Sequence, residues 1–432
     1  MCTFKITNDS NQILVDQYLR DGGPTESNTV ELGGIYITHH LLNITGEVTP
    51  QPIYYGDKYF MLIGEIYNYD DSWPSDIYFG IEKYNEYGDK FTEHLDGEFL
   101  FIVVDDRKIH FFTDPFSTKQ AYYFEDGDNF YFTSLINKRP DIFRYFKNLE
   151  DDFRPPARIE GHYRLPANSH VIFDVDTKEF HIVNNLYKWN LEQNSDNFDN
   201  VIMSFEDAVN KRWYPNSTLF MSGGVDSLSI ACCLANNKKK FNALTSIVND
   251  GENQNAIDKV VEYCGDYINH TYVTKEYIKN KNHYPKHTVS SELRKLALSF
   301  GSKVILMGSG GDEIINAYRG KNNSDFDLWP ENQKEIFPYR RLYENDRKSY
   351  GYINAIDYHY TYCCFYGLEV RGIFYDKQLA QDWLNMKPHY KNIEHKHISR
   401  QYLRKCNISE WSNSDVGFKS QYTDSFTRPE QR

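Results

Sequence analysis

Basic residues are in deficit: 48 Lys and Arg stand against 61 Asp and Glu, a formal charge of −13. A chain with no cationic excess has nothing with which to neutralise a phosphate backbone, which argues against nucleic acid and anionic membrane as partners. No apolar run approaches the ~18–20 residues of a spanning helix. The opening MCTFKITNDS has neither the cationic nor the apolar region of a secretion signal. These absences predict a cytoplasmic protein. Cysteine is sparse, and Cys2, Cys232, Cys233, Cys264, Cys363, Cys364 and Cys406 are odd in number and lack CxxC spacing, so neither a disulfide framework nor a zinc site is signalled. There is no GxxxxGK[ST] segment and no internal repeat.

What is present is 432 residues, at roughly 150 per domain enough for two or three domains. A hydrophobic content of 40% with 16% aromatics supports packed cores over most of the length. From Ile35 to about Trp189 the chain reads as short strands with turn punctuation, for example YFMLIGEIYNY, FLFIVVDDRKIHFFTD and HVIFDVDTKEFHIV. One helix is predicted near Asp76 to Tyr87. The polar, Asn/Asp-rich stretch from Asn190 to Asn200 is the best linker candidate. Beyond it the period changes. Val289, Leu293, Leu296, Ala297 and Phe300 recur at helical spacing, Gly301 supplies a stop, and Val304–Met307 reads as a buried strand. That βαβα alternation predicts a parallel sheet with helices on its faces. Residues 421–432 read as a polar tail.

The segment richest in chemistry is Ser222-Gly223-Gly224-Val225-Asp226-Ser227, between the strand TLFM and the helical run LSIACCLAN. Glycines and small hydroxyl residues at a strand-to-helix turn leave backbone N–H groups free to cradle phosphate at the positive end of the helix. Asp226 inside an anion cradle makes sense when a divalent cation bridges it to the phosphate oxygens. A second Gly-rich, acidic turn, Gly308-Ser309-Gly310-Gly311-Asp312-Glu313, follows the strand VILM. The C-terminal ends of parallel strands converge on one edge, so Asp226 and Asp312 are expected to face one nucleotide and its metal.

SGGVDS resembles the pyrophosphate loop of the PP-loop ATP pyrophosphatases. Further on, GLEVRGIFYD (Gly367–Asp376) and HKHISRQYLRK resemble the GLEVRxPFLD segment and the K…LR helix of the asparagine synthetase (glutamine-hydrolysing) family. Cys2 and Gly64-Glu65-Ile66-Tyr67-Asn68 resemble the class II glutamine amidotransferase domain that precedes them there. Asp114, Lys119 and Tyr122 match its RDxxGxxPLY segment. The resemblance implies an α+β N-terminal nucleophile (Ntn) hydrolase-type, layered β-rich domain over residues 1–192, followed over 200–420 by an α/β parallel-sheet PP-loop ATP pyrophosphatase domain. It implies ATP and Mg2+ as cofactors and glutamine, ATP and aspartate or another carboxylate as substrates. Homodimers are common among such enzymes, but no surface for one is legible here.

Carried over residue by residue, the resemblance makes Cys2 the nucleophile of glutamine hydrolysis once the initiator Met is removed. Its α-amine, with a pKa near 8, would then accept the thiol proton. Gly64, Glu65 and Asp76 would hold glutamine. Ser222, Gly223, Gly224, Asp226, Ser227, Ser246 and Gly310 would hold ATP and pyrophosphate, with Asp226 and Asp312 on the metal. The chain departs from the family where it matters for activity. Ile63 stands where an Asn completes the oxyanion hole, and losing one such donor costs ~10²–10³ in rate. Leu41 stands where an Arg binds the glutamine carboxylate. Ser309 stands where an acid is the proposed general base, leaving Glu313 or the substrate amine to serve. The lysine that stabilises the adenylating transition state has Lys419 as its candidate, with Lys405 the other. His395 and His397, at i and i+2 of a predicted helix, face different sides and do not suggest a metal site.

The leading expectation is a glutamine-dependent ligase that forms asparagine by adenylating aspartate. One alternative is an adenylating amide ligase or cyclase with an impaired or relic glutaminase domain. Another is a non-catalytic regulator that binds ATP or glutamine.

Overall fold

The computed structural model describes residues 1–13, 17–135, 157–159, 162–247, 254–274, 289–311, 314, 329, 331–333 and 363–408. It divides into two units, Met1–Asn190 with Leu342–Glu369, and Leu191–Arg341 with Val370–Arg432.

The first unit carries β1 (Thr3–Thr7), α1 (Gln17–Gly22), β2 (Glu26–Leu32), β3 (Ile35–Leu41), β4 (Ile53–Tyr55), β5 (Lys58–Ile66), α2 (Asp76–Tyr87), β6 (Gly97–Asp105) and β7 (Lys108–Thr113). After them come β8 (Tyr122–Asp126), β9 (Asn129–Thr133), β10 (Ala157–Ile159), β11 (His162–Arg164), β12 (Ser169–Asp174) and β13 (Phe180–Asn184). They form two sheets, β10-β11-β8-β9-β1-β3-β2 and β13-β12-β7-β6-β5-β4. Every pairing described is antiparallel.

The run FLFIVV is apolar throughout because β6 lies between β5 and β7 with both faces covered. The helix expected at Asp76 to Tyr87 is α2. Ile77, Ile81 and Tyr84, at i, i+4 and i+7, lay one stripe against Phe60, Phe91, Phe101 and Phe112. Tyr84 meets Phe60 and Phe91 edge-on, with ring centroids 5.6 and 5.4 Å apart.

The second unit carries α3 (Phe198–Arg212), β14 (Thr218–Phe220), α4 (Val225–Asn236), β15 (Phe241–Ile247), α5 (Gln254–Cys264), β16 (Ile268–Thr274), α6 (Val289–Ser299) and β17 (Val304–Met307). β18 (Glu369–Gly372), α7 (Lys377–Asn385), α8 (Pro388–Lys391) and α9 (His397–Lys405) follow. The sheet order is β16-β15-β14-β17-β18, with β14 parallel to both β15 and β17 and β15 parallel to β16. In chain order this is 3-2-1-4-5, so the direction of winding reverses between β14 and β17, where ligands bind in open α/β sheets. Both Gly-rich turns lie there.

The predicted linker contains the division between the two units, at Asn190 and Leu191. Ser195 bridges to Met386, its N–H donating to Asn385 O (2.8 Å) and its carbonyl accepting from Lys387 N (3.0 Å). Its polar residues stay exposed or half-exposed while its backbone finds partners in the second unit. No helix among the described residues is long and apolar enough to cross a membrane.

Candidate functional site

In the second unit, the chain leaves β14 and turns through Gly223, whose φ of +81° only glycine adopts freely. Gly224 then caps α4. The loop is held by its own hydroxyls. Ser227 Oγ donates to Gly224 O (2.9 Å) and accepts from Ser222 N (3.2 Å), and Ser222 Oγ accepts from Gly224 N (3.3 Å). The second turn closes directly on Asp226. A Cβ added at Gly311 would lie 3.0 Å from Asp226 Oδ2, and one at Gly308 would lie 3.1 Å from Asp226 Cβ. Gly310, at φ +95°, passes against Phe374 and Tyr375. Ser246 is buried near the end of β15. Ser222, Gly223, Gly224, Asp226, Ser227 and Gly310 are thus gathered at the switch point. Asp312, Glu313 and Lys419 lie outside the described residues.

The partners of Asp226 come from α9. Ser399 Oγ donates to Asp226 Oδ1 (2.6 Å), and Lys396 Nζ stands 2.8 Å from Oδ2. Lys396 caps α9 in the left-handed conformation, φ +56° and ψ +43°, which a non-glycine residue adopts at a cost. The sequence places this lysine in the segment that resembles the K…LR helix but does not show that its partner is Asp226. His395 precedes the helix altogether, and His397 pairs with Glu394 (2.9 Å). Lys405 points elsewhere, to Glu206 on α3 (2.7 Å). Among the described residues no three His, Cys, Asp or Glu side chains are placed to hold one metal ion.

In the first unit, Cys2 precedes β1, and its Sγ accepts from Leu42 N at 3.4 Å. Burial pushes the thiol up to about 12 against the pull of the chain's terminal ammonium, and the charges of Glu369 and Glu65 push it further. Glu65 Oε2 accepts from Thr45 Oγ1, and Asp76 Oδ2 accepts from Ile66 N (2.9 Å). Burial first and the Glu65 charge second hold Asp76 well above the ordinary carboxylate range. Gly64 has φ +111° and passes 2.0 Å, measured from a built Cβ, from Glu98 O. Glu65 therefore acts electrostatically on both Cys2 and Asp76. Ile63 is fully buried on β5 and Leu41 ends β3. Asp114 pins the turn after β7 by accepting from Phe116 N (2.8 Å) and Thr118 N (2.9 Å). Lys119 pairs with Glu98 at 3.6 Å and reaches Glu369 at 4.0 Å.

The profile of the glutamine amidotransferase domain matches residues 39–138, and that of asparagine synthase matches residues 201–355. The chain belongs to the asparagine synthetase family. The antiparallel sheets are its Ntn-type amidotransferase part, and the parallel sheet is its PP-loop part. A putative asparagine synthetase [glutamine-hydrolyzing] 1 of Methanocaldococcus jannaschii is 23% identical, over 95% of this chain and 80% of that protein. A putative asparagine synthetase [glutamine-hydrolyzing] 2 of the same organism is 25% identical over 62% of this chain and 58% of its own length. The asparagine synthetase [glutamine-hydrolyzing] of Sandersonia aurantiaca is 23% identical over 87% and 74%. This asparagine synthetase relative thus spans a little over half of one curated protein and about four fifths of another.

Proposed function

We propose that this protein is a glutamine-dependent amidotransferase of the cytoplasm that adenylates an acceptor carboxylate with Mg-ATP and amidates it with ammonia from glutamine, aspartate being the acceptor the family suggests. The observation that carries the reading is the closing of two Gly-rich turns on Asp226 at the switch point of the sheet. Backbone N–H groups at the start of α4 suit the phosphates, Ser222 would add a hydroxyl donor, and Ser227 would hold the loop in shape around them. Asp226 fits a divalent cation: its carboxylate already attracts the cationic Lys396, and Mg2+ is ordinarily held by one or two carboxylates together with phosphate oxygens. Asp226 would hold it with Asp312, and the ion would supply charge neutralisation on the polyphosphate. Lys396 would lie beside the same phosphates, and Ser246 and Gly310 would border the nucleotide.

In the first unit, Cys2 would attack the glutamine amide after removal of Met1, with its freed α-amine taking the thiol proton. Glu65 and Asp76 would hold the α-amino and α-carboxylate ends of glutamine. Glu313 and Lys419 remain the proposed base and transition-state lysine.

A second reading is favoured by a specific observation. The apolar, fully buried Ile63 stands at the oxyanion position, which describes a ligase with an impaired glutaminase that takes free ammonia or a substrate amine.

One experiment separates the two. Protein verified to lack Met1 is incubated with Mg-ATP, aspartate and glutamine labelled with nitrogen-15 in the amide, and products are read by mass spectrometry. The first reading expects labelled asparagine with AMP and pyrophosphate. Unlabelled asparagine formed only when ammonia is supplied leaves the second. Absence of AMP and pyrophosphate across a panel of carboxylates and amines overturns both.

A further inference from the structure

Both oxygens of Asp226 carry a partner from the start of α9. Ser399 Oγ donates to Oδ1 at 2.6 Å, and Lys396 Nζ donates to Oδ2 at 2.8 Å. The side chains of this ion pair are largely withdrawn from solvent, 15% exposed for Lys396 and 11% for Asp226, so salt and water screen their attraction little. The second Gly-rich turn stands close on the same carboxylate. A Cβ built on Gly311 would lie 3.0 Å from Oδ2 and 3.3 Å from Oδ1. A divalent cation at Oδ2 beside the ammonium would stand ~4 Å from it, where like charges repel strongly. The two cations therefore compete for one carboxylate.

The backbone of Lys396 is pinned. Its carbonyl opens α9 by accepting from Arg400 N at 3.1 Å, and its own conformation is left-handed. A non-glycine residue keeps that conformation only where its surroundings hold it. Here Glu394, two residues earlier, is bound to the helix through Arg404 Nη2 (2.6 Å) and His397 Nδ1 (2.9 Å). What can move is the side chain, a flexible four-carbon stem ending in an ammonium.

We propose that Lys396 is a latch on Asp226: a divalent cation takes this carboxylate by displacing the ammonium, and the phosphates of a nucleotide release the latch by offering the ammonium other anions. The inference rests on the reading of residues 222–227 as a nucleotide site. A cation arriving alone gains Asp226 but breaks the Lys396 pair. A nucleotide arriving alone brings its phosphates up to the Asp226 charge. When the two arrive together, the cation takes Asp226 and the Lys396 stem turns its ammonium to the phosphates, so every charge keeps a partner. The site thus favours the metal–nucleotide complex over either component, and the two affinities are coupled.

The test uses the full chain, with Mn2+ in place of Mg2+ and a non-hydrolysable ATP analogue as the nucleotide. Lysines are acetylated with an N-hydroxysuccinimide ester and their rates mapped by mass spectrometry. Saturating Mn2+ alone, or Asp226→Asn without metal, should speed the labelling of Lys396 about 10-fold. Lys405, paired with Glu206 at 2.7 Å, should keep its rate. Mn2+ together with the analogue should return Lys396 to slow labelling. Separately, electron paramagnetic resonance without nucleotide should show Lys396→Met binding Mn2+ about 10-fold more tightly than the unsubstituted chain, counting the binding that Asp226→Asn abolishes. A Lys396 rate that neither Mn2+ nor Asp226→Asn changes, or equal Mn2+ affinity in Lys396→Met, overturns the latch. Labelling that responds to Mn2+ but not to the analogue keeps the latch and strikes the nucleotide reading instead.

Discussion

Gly64 tolerates no side chain. Its φ of +111° is outside the range of L-residues, and a Cβ there would lie 2.0 Å from Glu98 O and within 3 Å of the Lys119 stem. Neither the backbone carbonyl nor a fully buried lysine can step aside. Gly64→Ala is expected to cost ~3 kcal/mol or more, seen as a lowered thermal midpoint with loss of glutamine hydrolysis, because Glu65 shifts with its neighbour. Asp226 is sensitive for a chemical reason. Asp226→Asn keeps the shape and removes the charge that Lys396 and a divalent cation both seek, so AMP formation should fall by about 100-fold, the equivalent of ~3 kcal/mol. Pyrophosphate release under saturating Mg-ATP measures it. At this level the residues quoted from SGGVDS and GEIYN were legible because each motif is contiguous. Lys396 and Thr45 were not, since their partners Asp226 and Glu65 are 170 and 20 residues away and spacing reports neither contact.

Among the elements, α7 depends on one carboxylate. Asp376 caps its first turn by accepting from Gln378 N and Leu379 N, both at 3.0 Å. It also takes Arg212 Nη1 and Lys211 Nζ at 2.6 Å each, joining α7 to the end of α3. Burial would raise this acid, but Arg212 and Lys211 hold it down to about 2. A carboxylate depressed in the folded state adds stability that is fully present above its unfolded value, near 4, and is lost as pH falls through about 2. The contribution is about 2 kcal/mol, and denaturant titrations from pH 5 to pH 2 should show stability declining across that window. Asp376→Asn, which leaves buried Arg212 without its charge partner, should cost ~3–5 kcal/mol at neutral pH and flatten that decline. The elements were largely readable in advance. α2, the α6 region and the strands TLFM and VILM carry periods of 3.6 or unbroken apolar runs. The stretch near Asn190 contains the division between the units and is exposed or half-exposed, whereas the backbone partners that Asn385 and Lys387 offer it lie too far along the chain to leave a mark in its sequence.

For the whole molecule, the two units are not two consecutive halves of the chain. Residues 363–369 belong with the first unit. Cys364 Sγ lies 3.7 Å from Met1 O, Phe365 meets Tyr18 with ring centroids 6.4 Å apart, and Gly367 passes 3.0 Å, from a built Cβ, from Asp21 O. A fragment ending at Asn190 should therefore unfold at a lower temperature than the same unit in the full chain. It should also expose α1 to protease, which circular dichroism melts and limited trypsin digestion would reveal. Sequence alone determined the fold class and the family, because periodicity, strand-to-helix turns and the order of motifs are properties of neighbouring residues. The tertiary structure alone decided which lysine faces Asp226 and that residues 363–369 complete the first unit. Those outcomes depend on how distant segments pack, and packing distributes its energy over many weak contacts that leave no mark in any one stretch of chain.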